Sequence, residues 1–124
     1  MQLPNPFDKA CPTRQLLDRI GDQWTVLIVL TLAEGPMRFT EIGKRVDGIS
    51  QKMLTQTLRS LVRDGMLKRT AYAVIPPRVD YELTGLGREL VVPLSVLEKW
   101  ATTHMGQVQE ARDVFDQGQA PVNA

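Results

Sequence analysis

The sequence predicts a mainly helical fold that carries one small β-hairpin. Three observations lead there. Apolar residues recur at helical spacing in five stretches separated by Gly or Pro breaks, and one pair of short runs rich in β-branched and aromatic residues flanks Pro76-Pro77. The chain has 124 residues, 43% hydrophobic and 23% charged, a balance that fits one soluble domain and not a disordered, fibrous or disulfide-built chain. At this length about two thirds of the unfolded surface can be buried on folding, so packing alone can hold the fold.

The first helix opens at Pro12-Thr13, carries Leu16, Leu17 and Ile20, and ends at Gly21. Proline suits a first turn because its missing N–H would have been unpaired there in any case. From Asp22 to Glu34 nearly every residue is apolar, with Asp22 as N-cap and Gly35-Pro36 as the stop, which reads as a buried central helix. Phe39, Ile42 and Val46 recur at helical spacing and mark a short third helix, closed by a turn at Asp47-Gly48. Ser50 then caps a helix whose apolar stripe is Met53, Leu54, Thr57, Leu58, Leu61 and Val62, ending at Asp64-Gly65. Its other side presents Gln51, Lys52, Thr55, Gln56, Arg59 and Arg63, long or hydrogen-bonding side chains with no acid among them.

Met66 to Val74 and Val79 to Leu83 read as the two strands of a hairpin, with an extended, proline-stiffened tip that ends in Arg78. Thr84 caps a long last helix through Leu86, Leu90, Val91, Leu94, Leu97, Trp100 and Ala101, with a kink expected at Pro93. Beyond Gly106 polarity rises. Val108, Ala111, Val114 and Phe115 can extend the helix, and Gln117 to Ala124 reads as a disordered tail. The expected organisation is an N-terminal arm over 1–10, a body over 11–106, and a helical extension with a flexible tail over 107–124.

The net charge is only +1, from 15 Lys and Arg against 14 Asp and Glu, but it is unevenly distributed. Met37 to Arg88 holds ten basic and five acidic residues, and the two ends together hold five and nine. A basic middle between acidic ends fits one region that meets a polyanion and two that do other work, such as pairing with a second chain; a solvated charged surface is the alternative. The longest uncharged apolar stretch, Trp24 to Ala33, is far short of the ~18 residues of a membrane span, and the first ten residues lack the basic start and apolar core of a secretion signal. These features predict a cytoplasmic protein with no membrane partner.

Helices followed by a β-hairpin, the last helix before it polar and basic on one side, make the plan of a winged helix-turn-helix. The helix-turn-helix pair is Phe39 to Val46 and Ser50 to Asp64, joined through Asp47-Gly48-Ile49. An α-helix fits the major groove of DNA, Lys and Arg neutralise phosphates, and Gln, Thr and Arg can bond base edges. The recognition residues expected from this pattern are Ser50, Gln51, Lys52, Thr55, Gln56 and Arg59, with Arg38, Lys68, Arg69 and Arg78 as further DNA contacts. Whether Gln56 and Arg59 touch bases or phosphates stays open at this level. A base-reading Arg59 predicts a loss of about 1–3 kcal/mol and relaxed specificity in Arg59→Ala, whereas Arg78→Ala should weaken all sites alike.

The last helix is more apolar than so small a domain needs for its own core. Leu94, Leu97 and Trp100, with Leu16, Leu17 and Ile20 of the first helix, are therefore expected at a homodimer interface; the alternative is that they cover the chain's own core. A two-fold dimer would set its recognition helices about 34 Å apart on a palindromic double-stranded site.

The phrases Gly21-Asp22-Gln23-Trp24, Met37 to Ile42 (MRFTEI), Gly48 to Thr55 (GISQKMLT), Leu58 to Arg69 (LRSLVRDGMLKR), Pro76 to Thr84 (PPRVDYELT) and Leu97 to Trp100 (LEKW) occur in order. Together they resemble the HxlR-type winged-helix transcriptional regulators, over about Cys11 to His104. One departure is that the family usually has Gly-Lys where this chain has Asp22-Gln23; it leaves DNA reading untouched and bears on contacts near the thiol. The resemblance implies a homodimeric bacterial regulator with the Ser50 helix in the major groove, the Ile75 to Arg78 hairpin as wing, and the first and last helices pairing the two copies.

Cys11 is the only cysteine, so no intramolecular disulfide can form. It stands at a helix start, where free backbone N–H groups and the helix dipole favour thiolate, with Lys9 and Arg14 close in sequence. The resemblance adds that a thiol before proline senses oxidants or electrophiles such as quinones and aldehydes in several members. Control by a non-covalent ligand, or an inert buried cysteine, is the alternative. His104 is the only histidine, expected to pack near the end of the last helix, and with Cys11 it supplies too few ligands for a transition metal. No nucleophile elbow or phosphate loop is present, and Gly85-Leu86-Gly87 lacks the rest of a dinucleotide fingerprint, so neither catalytic residues nor a cofactor is expected. The competing class is a winged-helix module that binds protein in place of DNA.

Overall fold

The structure is a computed structural model that describes residues 5–119. Among the described residues the order is α1 (Pro12–Ile20), α2 (Gln23–Leu32), β1 (Met37–Arg38), α3 (Phe39–Arg45), α4 (Gln51–Arg63), β2 (Leu67–Tyr72), β3 (Arg78–Leu83) and α5 (Gly85–Gln119). The chain forms two compact units, Met1–Val92 and Pro93–Ala124. The first holds α1 to α4, the start of α5 and a three-stranded antiparallel sheet of order β1-β3-β2, which is the predicted winged helix-turn-helix.

Local chemistry sets most boundaries. The Asp22 carboxylate accepts hydrogen bonds from the backbone N–H groups of Trp24 and Thr25, at 3.2 and 3.4 Å, and so starts α2 as expected. Ser50 Oγ accepts from Met53 N–H at 3.0 Å and starts α4 in the same way. Between α3 and α4 the chain turns at Gly48, whose φ of +87° is open to glycine and strained for other residues. The third helix ends one residue before the predicted Val46, which instead turns its side chain into the core at 2% exposure.

Strand β1 is the element the sequence does not predict. Two residues have no period of their own; Met37 and Arg38 become strand because β3 presents an unpaired edge, in register Met37 with Tyr81 and Arg38 with Asp80. At the tip β2 ends two residues before the predicted Val74, whereas β3 begins at Arg78, one residue before the predicted Val79; Leu67 pairs with Leu83, Arg69 with Tyr81 and Tyr72 with Arg78.

The core of the first unit joins Ile28, Val29 and Leu32 of α2, Ile42 and Val46 around α3, Leu54, Leu58 and Leu61 of α4, and Met66, Leu67 and Leu83 beside and within the sheet. Each such buried side chain contributes about 1.5–3 kcal/mol relative to its exposed state. Thr84 closes the sheet onto the start of α5: its hydroxyl donates to the Gly65 carbonyl at 2.6 Å and accepts from Gly87 N–H at 3.2 Å. A Cβ at Gly87 would lie 2.2 Å from the Met66 carbonyl oxygen, so this glycine serves close packing of backbone on backbone.

One expectation for the last helix is corrected. Pro93 lies inside α5, and the Glu89 carbonyl that loses its intrahelical partner belongs to an exposed residue, within reach of water. The helix also passes Gly106 and includes Gln117–Gln119, the start of the expected tail; the remainder of that tail lies outside the described residues. The exposed Asp116 and Gln117 side chains cost the helix little, because continuing an existing helix adds one hydrogen bond per residue fixed. His104 is mid-helix as a result, stacked on Trp100 with ring centroids 4.7 Å apart. Its Nδ1 is 2.8 Å from the Trp100 carbonyl oxygen, an acceptor that requires the proton on that nitrogen.

Candidate nucleic-acid interface

Helix α4 divides cleanly into two sides. Leu54, Thr57, Leu58 and Leu61 are buried, while Ser50, Gln51, Lys52, Thr55, Gln56, Arg59 and Arg63 are exposed. Met53 departs from the predicted stripe: it is 37% exposed, because it falls at the rim of the apolar arc and not at its centre. All six expected recognition residues are therefore exposed to solvent. Two of them have local duties, since Ser50 caps the helix and the Thr55 hydroxyl donates to the Gln51 carbonyl at 2.9 Å.

Two clefts border α4. One, of about 530 Å³, lies toward α1 and the start of α2 and is lined by Asp18, Arg19, Asp22, Thr25, Gln56 and Ser60 among others. Arg19 of α1 is tied there to Asp64, the C-cap of α4, at 2.6 Å. The other, of about 350 Å³, lies toward the hairpin and is lined by Thr55, Arg59, Val62, Arg69 and Tyr81. The expected recognition residues thus separate, with Gln56 facing the first cleft and Thr55 with Arg59 facing the second.

The strand register sorts the other predicted DNA contacts. Side chains alternate between sheet faces, so Arg69 and its partner Tyr81 share the α4 face with Leu67 and Leu83. Lys68, Thr70, Tyr72, Arg78, Asp80 and Glu82 share the opposite face. Arg38 belongs with this second group, directly across from Asp80. The four basic residues named from the sequence are therefore not one patch: Arg69 is beside α4, and Arg38, Lys68 and Arg78 are on the far side with two acids.

Arg78 is not the free cation that its place at the wing implies. Its Nε and one Nη donate to the two carboxylate oxygens of Asp80, at 3.0 and 2.9 Å, and its guanidinium carbon is 5.2 Å from the centre of the Tyr72 ring. These hydrogen bonds, then the neighbouring positive charges of Arg78 and Arg38, hold the Asp80 carboxyl below the usual carboxylate range against the opposing effect of burial, and Arg78 is raised in return. Asp80 was legible in principle: Arg78 and Asp80 are two apart on one strand and so share a face.

At the other end of the first unit Cys11 is the N-cap of α1, half-buried and without a side-chain capping bond. Of the residues expected at a subunit interface, Leu16, Leu17, Leu97 and Trp100 are 39%, 50%, 52% and 57% exposed, Ile20 is half-buried, and Leu94 is covered within the chain at 5%. No group of three or more possible metal ligands occurs among the described residues, and no helix there is long and apolar enough to cross a membrane.

Similarity to known proteins agrees with this geometry. Residues 19–109 match the family model described as HxlR-like helix-turn-helix. The helix-turn-helix-type transcriptional regulator YtfH of Escherichia coli is 39% identical over 109 residues, covering 88% of this chain and 86% of that protein. The structure of ytfH from Salmonella typhimurium superimposes with a TM-score of 0.85 at 37% identity, covering 90% and 99% of the two chains. The redox regulator HypR in its reduced form gives a TM-score of 0.73 at 32% identity, covering 80% and 98%. With the family match spanning most of the chain and the buried and exposed sides of α4 arranged as such a helix requires, the protein belongs to the HxlR-like helix-turn-helix family and is a transcriptional regulator of the helix-turn-helix type.

Proposed function

We propose that the protein is a cytoplasmic, homodimeric regulator that binds a palindromic double-stranded DNA site through α4 and is switched by oxidants or electrophiles at Cys11. The observation that carries the DNA reading is the two-sided α4: one side is fixed in the core, and the other offers Gln51, Lys52, Gln56 and Arg59 to solvent with no acid among them. A rigid helix with an uncommitted polar side is what major-groove reading needs. Residues 11–106 form the binding and pairing body, with 1–10 as an arm and 107–124 as an extension.

Pairing is supported by α5. Val92, Val96, Leu97 and Trp100 are all more than half exposed on it, and Leu97, Ala101, His104, Val108, Ala111 and Phe115 recur at alternating steps of four and three, the spacing of a helix seam that meets another helix. A partner copy covers such residues without leaving polar groups unpaired.

Support for the switch is the position of half-buried Cys11 at a helix start, its side chain making no capping bond, together with the similarity to a redox regulator. A quinone would form a C–S bond with the thiolate, its ring oxygen taking up the proton. Diamide would take two electrons and two protons from a pair of Cys11 thiols, one from each copy, and leave a disulfide. Either change at the start of α1 would alter how the two recognition helices are spaced, and a dimer must meet both half-sites at once.

The experiment is binding of the purified protein to DNA upstream of its own gene and to duplexes selected from a random pool, over a salt series, with and without diamide or a quinone. Tight, salt-steep binding lost on treatment, and retained in treated Cys11→Ser protein, supports the whole reading. Release of the Cys11→Ser protein by the same reagents removes Cys11 as the sensor. Control would then pass to a non-covalent ligand, for which the cleft beside Asp22, Thr25 and Gln56 is one candidate site. Affinity no tighter than about 10⁻⁴ to 10⁻⁶ M for every duplex would overturn the DNA reading in favour of a protein-binding module.

A further inference from the structure

The cleft between α4 and the hairpin brings together two arginines from different elements. Arg59 projects from α4, four residues after Thr55 and three before Val62, and Arg69 projects from β2 on the sheet face that looks toward this helix. Both are exposed, and among the described residues neither forms an ion pair; the three pairs present are Arg19 with Asp64, Arg45 with Glu34, and Arg78 with Asp80. Tyr81, directly across the ladder from Arg69, adds a phenol to the same cleft. No acidic side chain lines it.

Two guanidinium groups on facing walls repel each other unless an anion lies between them. The anion that matches them is tetrahedral and multiply accepting, because each planar fork can offer two parallel N–H groups to two oxygens. Resting on the reading of α4 as the groove-reading helix, we infer that Arg59 and Arg69 grip one phosphodiester of the DNA backbone between the recognition helix and the base of the wing. The grip makes Arg59 a backbone contact and not a base reader, and it transfers the wing's principal phosphate contact from Arg78 to Arg69.

The contrast with Arg78 strengthens the assignment. Arg78 already has its charge matched by Asp80 through two hydrogen bonds and lies on the opposite sheet face. A phosphate there would compete with a carboxylate that is in place before DNA arrives. In the α4 cleft nothing has to be displaced but water and counter-ions, whose release is the main source of affinity for phosphate.

The test uses the full chain and a duplex that it selects from a random-sequence pool, made also as a set in which each phosphate in turn is an uncharged methylphosphonate. Neutralising one phosphate per half-site is expected to lower wild-type affinity about tenfold, the scale of a hydrogen bond to a charged group. Arg59→Ala and Arg69→Ala should each lower affinity for the unmodified duplex by a similar factor, reduce the salt slope by about one per half-site, and become insensitive to that same methylphosphonate. Selection repeated with either variant should return the wild-type base sequence, and Arg78→Ala should leave the salt slope unchanged. The inference is overturned if Arg59→Ala relaxes the preference at one base pair, if the two variants respond to different phosphates, or if both bind as wild type while Lys52→Ala does not. Failure of the wild-type protein to select any duplex overturns the DNA-binding reading itself, an outcome distinct from all of these.

Discussion

Helix α4 and the part of α5 beyond Pro93 are both amphipathic, and the chain treats them in opposite ways. In α4 the apolar residues Leu54, Leu58 and Leu61 are at or below 2% exposure and the polar side is left to solvent. In α5 beyond Pro93, Leu94 alone among the large apolar residues is buried, while Val96, Leu97, Trp100, Val114 and Phe115 are each at least half exposed. A helix whose apolar side is already covered has only polar chemistry to offer a partner, which suits a hydrated polyanion. One whose apolar side is uncovered offers area, which suits another apolar helix. On the proposed function, the two helices therefore meet different partners.

The sharpest way to break this comparison is to charge the uncovered side. Leu97→Glu combined with Trp100→Glu should convert the proposed dimer to monomer in sedimentation velocity and lower affinity for the selected duplex by about 10³-fold or more, since each half-site then binds alone. Persistence of a dimer would show that α5 does not pair the copies. A second effect separates stability from assembly. Leu58→Ala should destabilise the fold by about 2–5 kcal/mol in chemical denaturation. Leu97→Ala should instead weaken the dependence of the unfolding midpoint on protein concentration. Equal effects of the two substitutions on a dilute sample would erase the distinction drawn between the helices.

The smallest effect concerns the wing. The Asp80 carboxyl titrates below its ordinary range because Arg78 hydrogen-bonds to its charged form. A depressed carboxylate contributes stability that is present above the unfolded value of about 3.9 and is lost as pH falls through the lower folded value. The hairpin should therefore keep its order from neutral pH down to about 4 and loosen below it, whereas Asp80→Asn should remove that dependence. The carboxyl carbon shift of Asp80, followed by NMR against pH, checks the sign; a midpoint at or above the ordinary value would contradict the ion pair.

Much of the site was legible because it depends on local chemistry. Ser50 and Asp22 announce helix starts through side chains that bond the nearest backbone N–H groups, and the spacing from Leu54 to Leu61 marks which side of α4 is buried. The end of α5 was not legible, since the polar run from Gln117 argues locally for a stop that an established helix overrides. Nor was the fate of the basic residues. Arg38, Lys68, Arg69 and Arg78 look alike in the sequence, and only the register of β2 on β3 and β1 on β3 divides them between two faces.

By itself the sequence determined the helical class, the helix-turn-helix pair with its hairpin, and the polar side of α4, all of which follow from periodicity and caps within about ten residues. The tertiary structure alone decided that Met37 and Arg38 become a strand and that Arg59 and Arg69 come to share one cleft. These outcomes depend on which residues meet across a ladder or a helix–sheet gap, and a separation in space of that kind leaves no period in the chain.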